Sequence, residues 1–204
     1  MRPMERPEDF WAIEKAHFET GITTICGVDE AGAGPLAGRV YAAAVILPVG
    51  WEAPYLNDSK KVTEKRREVL YERITAEAVA WSIAWADERE IDEVNILNAR
   101  MLAMERAIQG LAVKPDLALI DGNRSKGITC PNETVVKGDA KSASIAAASI
   151  LAKVARDRHM LEMAEVYPQY AFEKHKGYPT KLHYERLRAH GPSPIHRLTF
   201  LKKL

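Results

Sequence analysis

The chain has 204 residues, 47% of them hydrophobic and 28% charged, with a formal net charge of +1, which fits one globular domain with a sizeable core. No apolar run reaches the ~20 residues of a membrane span, and the leader Met1-Arg-Pro-Met-Glu-Arg-Pro7 lacks the apolar stretch of a secretory signal. Two cysteines, Cys26 and Cys130, are too few for a disulfide framework or a structural zinc site, so a reducing cytoplasm is the expected location.

Phe10, Ile13, Glu14 and His17-Phe18 recur at helical spacing and predict a short helix over residues 7–19, closed by Gly21. A strand then runs from Ile22 to Asp29, and a second from Val40 to Leu47, stopped by Pro48. Only a loop of small residues separates them, so an antiparallel hairpin is expected. After the polar loop Asn57-Asp-Ser-Lys-Lys61, Thr63 is placed to cap a helix whose Leu70, Ile74 and Ala78 share one face. Trp81, Ile83 and Trp85 alternate with small residues and predict a third strand. The charged run Asp87 to Glu93 leads into a helix with Leu97, Met101, Met104, Ile108 and Leu111 on its buried face. Leu117-Ala-Leu-Ile120 is continuously apolar, as in a covered central strand, and ends at Asp121-Gly-Asn123. Thr134-Val-Val136 is a shorter strand ending at Lys137-Gly-Asp139. From Ser142 a helix of small residues extends to about Glu165, before Pro168, and a basic helix spans residues 180–190. Strands in hairpin succession followed by alternating strands and helices predict a mixed central sheet flanked by helices.

The charge is polarised. From Lys174 onward there are eight Lys/Arg against one acid, about +7, which leaves the first 173 residues about −6. Four of the six histidines also fall in this tail. An acidic centre beside a basic, helical C-terminal extension over about residues 168–204 suits a protein that grips a polyanion.

Asp29-Glu30, Asp121 and Asp139 each follow an apolar run. Neighbouring side chains in a strand point to opposite faces, so Asp29 and Glu30 converge only if the strand gives out there. A solvated hairpin carrying two acids is an equally simple account of that stretch, as a turn is for Asp121-Gly and a helix cap for Gly138-Asp139. If the three strands are parallel and adjacent, however, their carboxyl ends share one edge of the sheet, where open α/β sheets place their sites. Four clustered carboxylates repel one another unless cations neutralise them, and oxygen-only ligands point to Mg²⁺ or Mn²⁺. Two such ions about 3.5–4 Å apart support phosphoryl displacement. Gly32-Ala-Gly-Pro-Leu-Ala-Gly38 is a poor dinucleotide loop, because Pro35 intrudes and a strand follows.

Taken together, Gly27-Val-Asp-Glu-Ala-Gly-Ala-Gly-Pro35, Asn57-Asp-Ser-Lys-Lys61, Asn95-Ile-Leu97, Asp121-Gly-Asn123, Lys137-Gly-Asp139 leading to Lys153, and His175-Lys-Gly-Tyr178 with Thr180, His183 and His196-Arg197 form an ordered set running nearly end to end. In these the sequence resembles the type 2 ribonucleases H (ribonuclease HII). The resemblance implies a ribonuclease H-like α/β fold and a two-metal endonuclease that leaves a 3′-hydroxyl and a 5′-phosphate. It implies a cut 5′ of ribonucleotides, in RNA/DNA hybrids and at single ribonucleotides in duplex DNA, as needed for ribonucleotide and RNA primer removal. It implies Asp29, Glu30, Asp121 and Asp139 as the catalytic carboxylates of the metal site, with Asp29, Glu30 and Asp121 holding two Mn²⁺ or Mg²⁺ ions. It implies Gly32, Ala33, Gly34 and Lys60 as substrate-binding, the glycine backbone approaching the ribose 2′-hydroxyl, and Tyr178 as the ring that packs on the sugar. A monomer with nucleic acid as its partner is expected. The leader before Asp29 is too short for the extra N-terminal module of the type 3 enzymes.

Two positions depart from the family pattern. Ala33 stands where Arg or Lys is usual between the glycines, and Arg39 stands where Pro is usual. Ala33 removes a charged phosphate contact, so weakened affinity is expected, with Arg39 a candidate to restore the charge. The alternative reading is a nucleic-acid-binding protein whose catalysis Ala33 has weakened.

Overall fold

The structure, a computed structural model, describes residues 9–202. Its centre is a five-stranded mixed sheet in the order β3-β2-β1-β4-β5, with β1 Ile25–Ala31, β2 Val40–Ile46, β3 Ala80–Ala86, β4 Leu117–Asp121 and β5 Asn132–Val135. The hairpin β1–β2 and the edge strand β3 are antiparallel, while β1, β4 and β5 run parallel as neighbours. The three strands that lead to the acids therefore do end on one side of the sheet.

Helix α5 (Ala143–Val166) lies across one face, joined by α1 (Ala12–Glu19) and α2 (Glu64–Glu77). Its run of Ala and Ser brings the helix backbone close to the sheet. A Cβ on Gly27 of β1 would stand 2.0 Å from the carbonyl carbon of Ser144, so this approach requires glycine there. On the opposite face, α4 (Ile96–Gln109) buries Ala99, Met101, Ala103, Met104, Ala107 and Ile108 against Cys26, Val28, Ala42 and Ile120. A smaller cluster of Leu36, Ala37, Met160, Tyr170, Phe172 and Leu187 joins the loop after β1 to α6 (Phe172–His175) and α7 (Lys181–His190). Among the described residues no helix is long and apolar enough to cross a membrane.

Several details differ from expectation. The first helix is described from Ala12, and the start proposed at Pro7 lies outside the described residues. Strand β1 begins at Ile25 and continues through both acids to Ala31, because Asp29, Glu30 and Ala31 stay paired with Ala43, Ala42 and Tyr41. The charged run 87–93 is itself mostly helix: α3 (Glu88–Val94) starts from a capping box in which the Asp87 and Glu90 carboxylates each accept from the other's backbone N–H. Leu97, in the first turn of α4, is 43% exposed rather than buried. Thr63 occupies the N-cap position of α2 without a side-chain cap bond. The tail is also less of a basic surface than its composition implies, since Arg197, His175, His183 and His196 are buried.

Candidate active site

Strand register decides where the carboxylates point. Cys26 and Val28 of β1 pack on the α4 side, so Glu30 follows them there, while Asp29 faces α5. Leu117 and Leu119 of β4 pack beside Ile145 of α5, which puts Asp121 on that same face. Gly27 pairs with Leu119 and Val28 with Ile120, so one step on Asp29 and Asp121 stand side by side at the strand ends. The two adjacent acids do not converge by the strand giving out, as the sequence suggested. Asp29 meets Asp121 across the parallel pair instead.

A short 3-10 turn, Gly138–Ala140, follows β5 and brings in Asp139. The Gly138 N–H donates to Asp121 Oδ1 at 2.7 Å, which ties this turn to the end of β4. Glu30 reaches Arg100 of α4, with Oε1 2.6 Å from Nη2, and its Oε2 is buried with no partner. Asp29 Oδ1 accepts from the Glu30 N–H at 2.7 Å.

These carboxylates disturb one another. Burial and then the charges of Glu30, Asp121 and Asp139 push the Asp29 carboxyl well above its usual range. Burial, with Asp121 and Asp58 beside it, lifts Asp139 to about 6. Burial also raises Glu30, against the pull of Arg100. At Lys60 burial acts downward, but Asp58, Asp29, Asp139 and Asp121 outweigh it and hold the ammonium above its ordinary pKa.

A cleft of about 250 Å³ opens over this centre, lined by Asp29 and Glu30, the loop Ala31–Gly34, Ser59, Lys60, Lys153 and Tyr178. The expected substrate residues Gly32, Ala33, Gly34, Lys60 and Tyr178 thus come together in one place. Tyr178 is 38% exposed, its ring 6.0 Å from Lys153 Nζ and 5.4 Å from the Arg156 guanidinium. The loop bearing Lys60 is fastened by Arg67, which donates to the carbonyls of Ser59 and Val62 and pairs with Asp157. The Arg39 guanidinium lies over the Trp85 ring at 5.0 Å and does not line the cleft.

Two residues behind the cleft, Arg100 and Arg156, carry no separate signal in the sequence, while Lys153 and Arg197 stand in its motifs without a role of their own. Lys153, in the small-residue helix, lines the cleft and is paired to Asp157 at 2.6 Å. Arg100 holds Glu30. Arg156 of α5 and Arg197 of the tail are fully buried behind the glycine loop, whereas a basic tail predicts a solvated charge at Arg197.

The sequence profile of the family "Ribonuclease HII" matches residues 26–203. The chain belongs to the ribonuclease HII family. It is 54% identical to the ribonuclease HII of Endomicrobium trichonymphae over 193 residues, covering 94% of this chain and 92% of that one. Among solved structures it is similar to the ribonuclease H2 of Pyrococcus horikoshii OT3, with a TM-score of 0.68 and 25% identity over 87% of this chain and 93% of that one. Bst-RNase HIII, solved in complex with Mn²⁺, shares the fold at a TM-score of 0.65 and 17% identity, over 86% of this chain and 65% of that one. The fold is the ribonuclease H-like α/β fold, and as a ribonuclease HII family member the chain is an endonucleolytic hydrolase of ribonuclease H type.

Proposed function

We propose that this enzyme hydrolyses the phosphodiester 5′ of ribonucleotides, both in RNA/DNA hybrids and at single ribonucleotides in duplex DNA, leaving 3′-hydroxyl and 5′-phosphate ends. Removal of ribonucleotides from DNA and of RNA primers is the role we assign to it, acting as a monomer. The observation that carries this reading is the cleft, where two of the carboxylates, Asp29 and Glu30, line one space with a glycine loop and an aromatic ring.

Asp29, Glu30 and Asp121 would hold two divalent cations, Mg²⁺ or Mn²⁺, with Asp139 completing the catalytic set. Among the described residues no three His, Cys, Asp or Glu side chains stand as a ready-made metal cage. The donor chemistry nevertheless fits a hard cation. All four groups are carboxylates, Glu30 Oε2 is buried without a partner, and burial, together with the neighbouring acids, holds Asp29 toward its protonated form. Bound cations supply Lewis acidity at the scissile phosphate. The protein's own residues do the rest. Lys60 and Lys153 offer positive charge to the phosphate backbone, the Gly32–Gly34 backbone meets the ribose, and the Tyr178 ring packs on the sugar. Exposed Lys174, Lys181, Arg186 and Arg188 belong to the C-terminal extension that would grip the duplex.

The test is a nicking assay on duplex DNA carrying one ribonucleotide. Cleavage with Mg²⁺ or Mn²⁺, none with chelator and none on all-DNA duplex is expected. Asp121→Asn should abolish nicking while duplex binding persists. Equal cutting of all-DNA duplex would remove the substrate assignment, and an active Asp121→Asn variant would remove Asp121 from the metal site. Duplex binding without metal-dependent nicking in the wild type would instead favour the binding-only alternative.

A further inference from the structure

Arg197 is completely buried, and all five of its guanidinium N–H groups are used. Nε donates to Gly38 O at 2.9 Å, Nη1 to Ala33 O at 3.1 Å and Pro35 O at 2.8 Å, and Nη2 to Gly32 O at 2.7 Å and Gly38 O at 2.6 Å. Its own amide donates to Leu36 O at 2.8 Å, and the Gly38 amide returns a bond to Ile195 O at 2.9 Å. One side chain from the C-terminal tail therefore gathers four carbonyls of the loop after β1.

The orientation of those carbonyls fixes the amides behind them. In a trans peptide the C=O and the following N–H point in opposite directions. With the Gly32 and Ala33 carbonyls drawn inward to Arg197, the N–H groups of Ala33 and Gly34 are turned away from it, on the stretch that lines the cleft. Among the described residues no hydrogen bond engages either amide. Two adjacent free donors are thus presented to whatever occupies the cleft, although the loop has no helix or strand to orient it.

We propose that Arg197 is the positioning residue for ribose recognition: it never meets substrate, but it holds the Ala33 and Gly34 amides toward the 2′-oxygen. This rests on the reading of the cleft as a ribonucleotide site. Lysine keeps the charge but has only three donors on one nitrogen and cannot span four carbonyls, so at least one of these peptides is freed to rotate.

The experiment compares wild type and Arg197→Lys in chelator, measuring affinity for duplex DNA with one ribonucleotide and for the same duplex without it. The expected result is a loss of about tenfold in the preference for the ribonucleotide duplex, with affinity for all-DNA duplex unchanged. An undiminished preference, or an equal loss on both duplexes, overturns the proposal. If the Lys variant does not fold, the wild type decides it by NMR. The Ala33 and Gly34 amide signals should move on adding the ribonucleotide duplex and stay in place with the all-DNA duplex, and two silent amides overturn it. A wild type with no preference at all would sink the substrate assignment and this proposal with it, whereas failure in the Lys variant alone leaves that assignment intact.

Discussion

Gly32 and Gly34 are two residues apart, yet they are glycine for different reasons. Gly32 has φ +97°, and a Cβ there would lie 2.2 Å from Arg156 Nε, so the protein interior demands glycine. Gly34 is outside the left-handed region and a Cβ would meet nothing within 4 Å, so no internal constraint excludes a side chain. Gly32→Ala should therefore lower stability by about 1–3 kcal/mol in denaturant unfolding. Gly34→Ala should unfold within ~0.5 kcal/mol of wild type but bind a ribonucleotide duplex more weakly, because the added methyl occupies space the substrate needs. Unchanged binding in a folded Gly34→Ala protein would show that substrate does not approach this backbone. Ala33→Arg should raise duplex affinity at low salt and steepen the plot of log affinity against log salt by about 0.9, one further phosphate contact. An unaltered slope would mean that position 33 lies away from phosphate. The carboxylates were legible because each ends an apolar run. The burial of Arg197 and Arg156 was not, because it depends on carbonyls as much as 165 residues away for Arg197 and 119 for Arg156, which leaves no local pattern.

Among the elements, α5 bears most on the site, and its N-terminus depends on α1. Glu14 is fully buried, and its Oε1 accepts from Ser142 Oγ at 2.6 Å and from the Ser144 N–H at 3.1 Å. Ser142 in turn caps α5 by accepting from the Ile145 N–H. A carboxylate at a helix start offsets the positive end of its dipole, and this start follows directly on the turn carrying Asp139. Glu14→Ala should destabilise the protein by roughly 1–3 kcal/mol, and Glu14→Gln by less, since the amide oxygen still accepts. Equal melting of all three proteins would show that the clasp contributes nothing. The parallel neighbours β1, β4 and β5 were readable from where their apolar runs stop and acids begin. The division of Asp29 and Glu30 between faces was not, because it depends on β1 staying paired with β2 for two further residues. Nor was α3, whose charged residues resemble a linker until the capping box between Asp87 and Glu90 is recognised.

At the scale of the molecule, the C-terminal tail closes over the cleft through three buried histidines. The His183 Nδ1–H donates to the Tyr178 carbonyl at 2.9 Å, and its ring stacks on His175 at 4.3 Å between centroids. His196 Nδ1 accepts from the Ser193 N–H at 2.8 Å, which leaves its Nε2–H to donate to His183 Nε2 at 3.0 Å. This chain of bonds requires both rings neutral. Burial, and for each ring a second histidine nearby, pulls His183 and His196 from 6.5 to about 4. The unfolded chain therefore takes up protons between those values that the folded protein refuses. Above pH 6.5 this effect is absent. As pH falls from 6.5 toward about 4, stability declines by about 1.4 kcal/mol per pH unit for each refused proton. The carboxylate cluster without metal acts in the opposite sense, because protonating Asp29 and Asp139 removes buried charge and then relieves their repulsion. The histidine contribution is therefore read as a difference between wild type and His183→Gln in denaturant unfolding across this range. The wild type should lose stability more steeply on acidification, and Tyr178, whose carbonyl His183 holds, should become more accessible to quencher as it does so. Parallel pH dependences in the two proteins would show that the histidine chain does not hold the tail over the cleft.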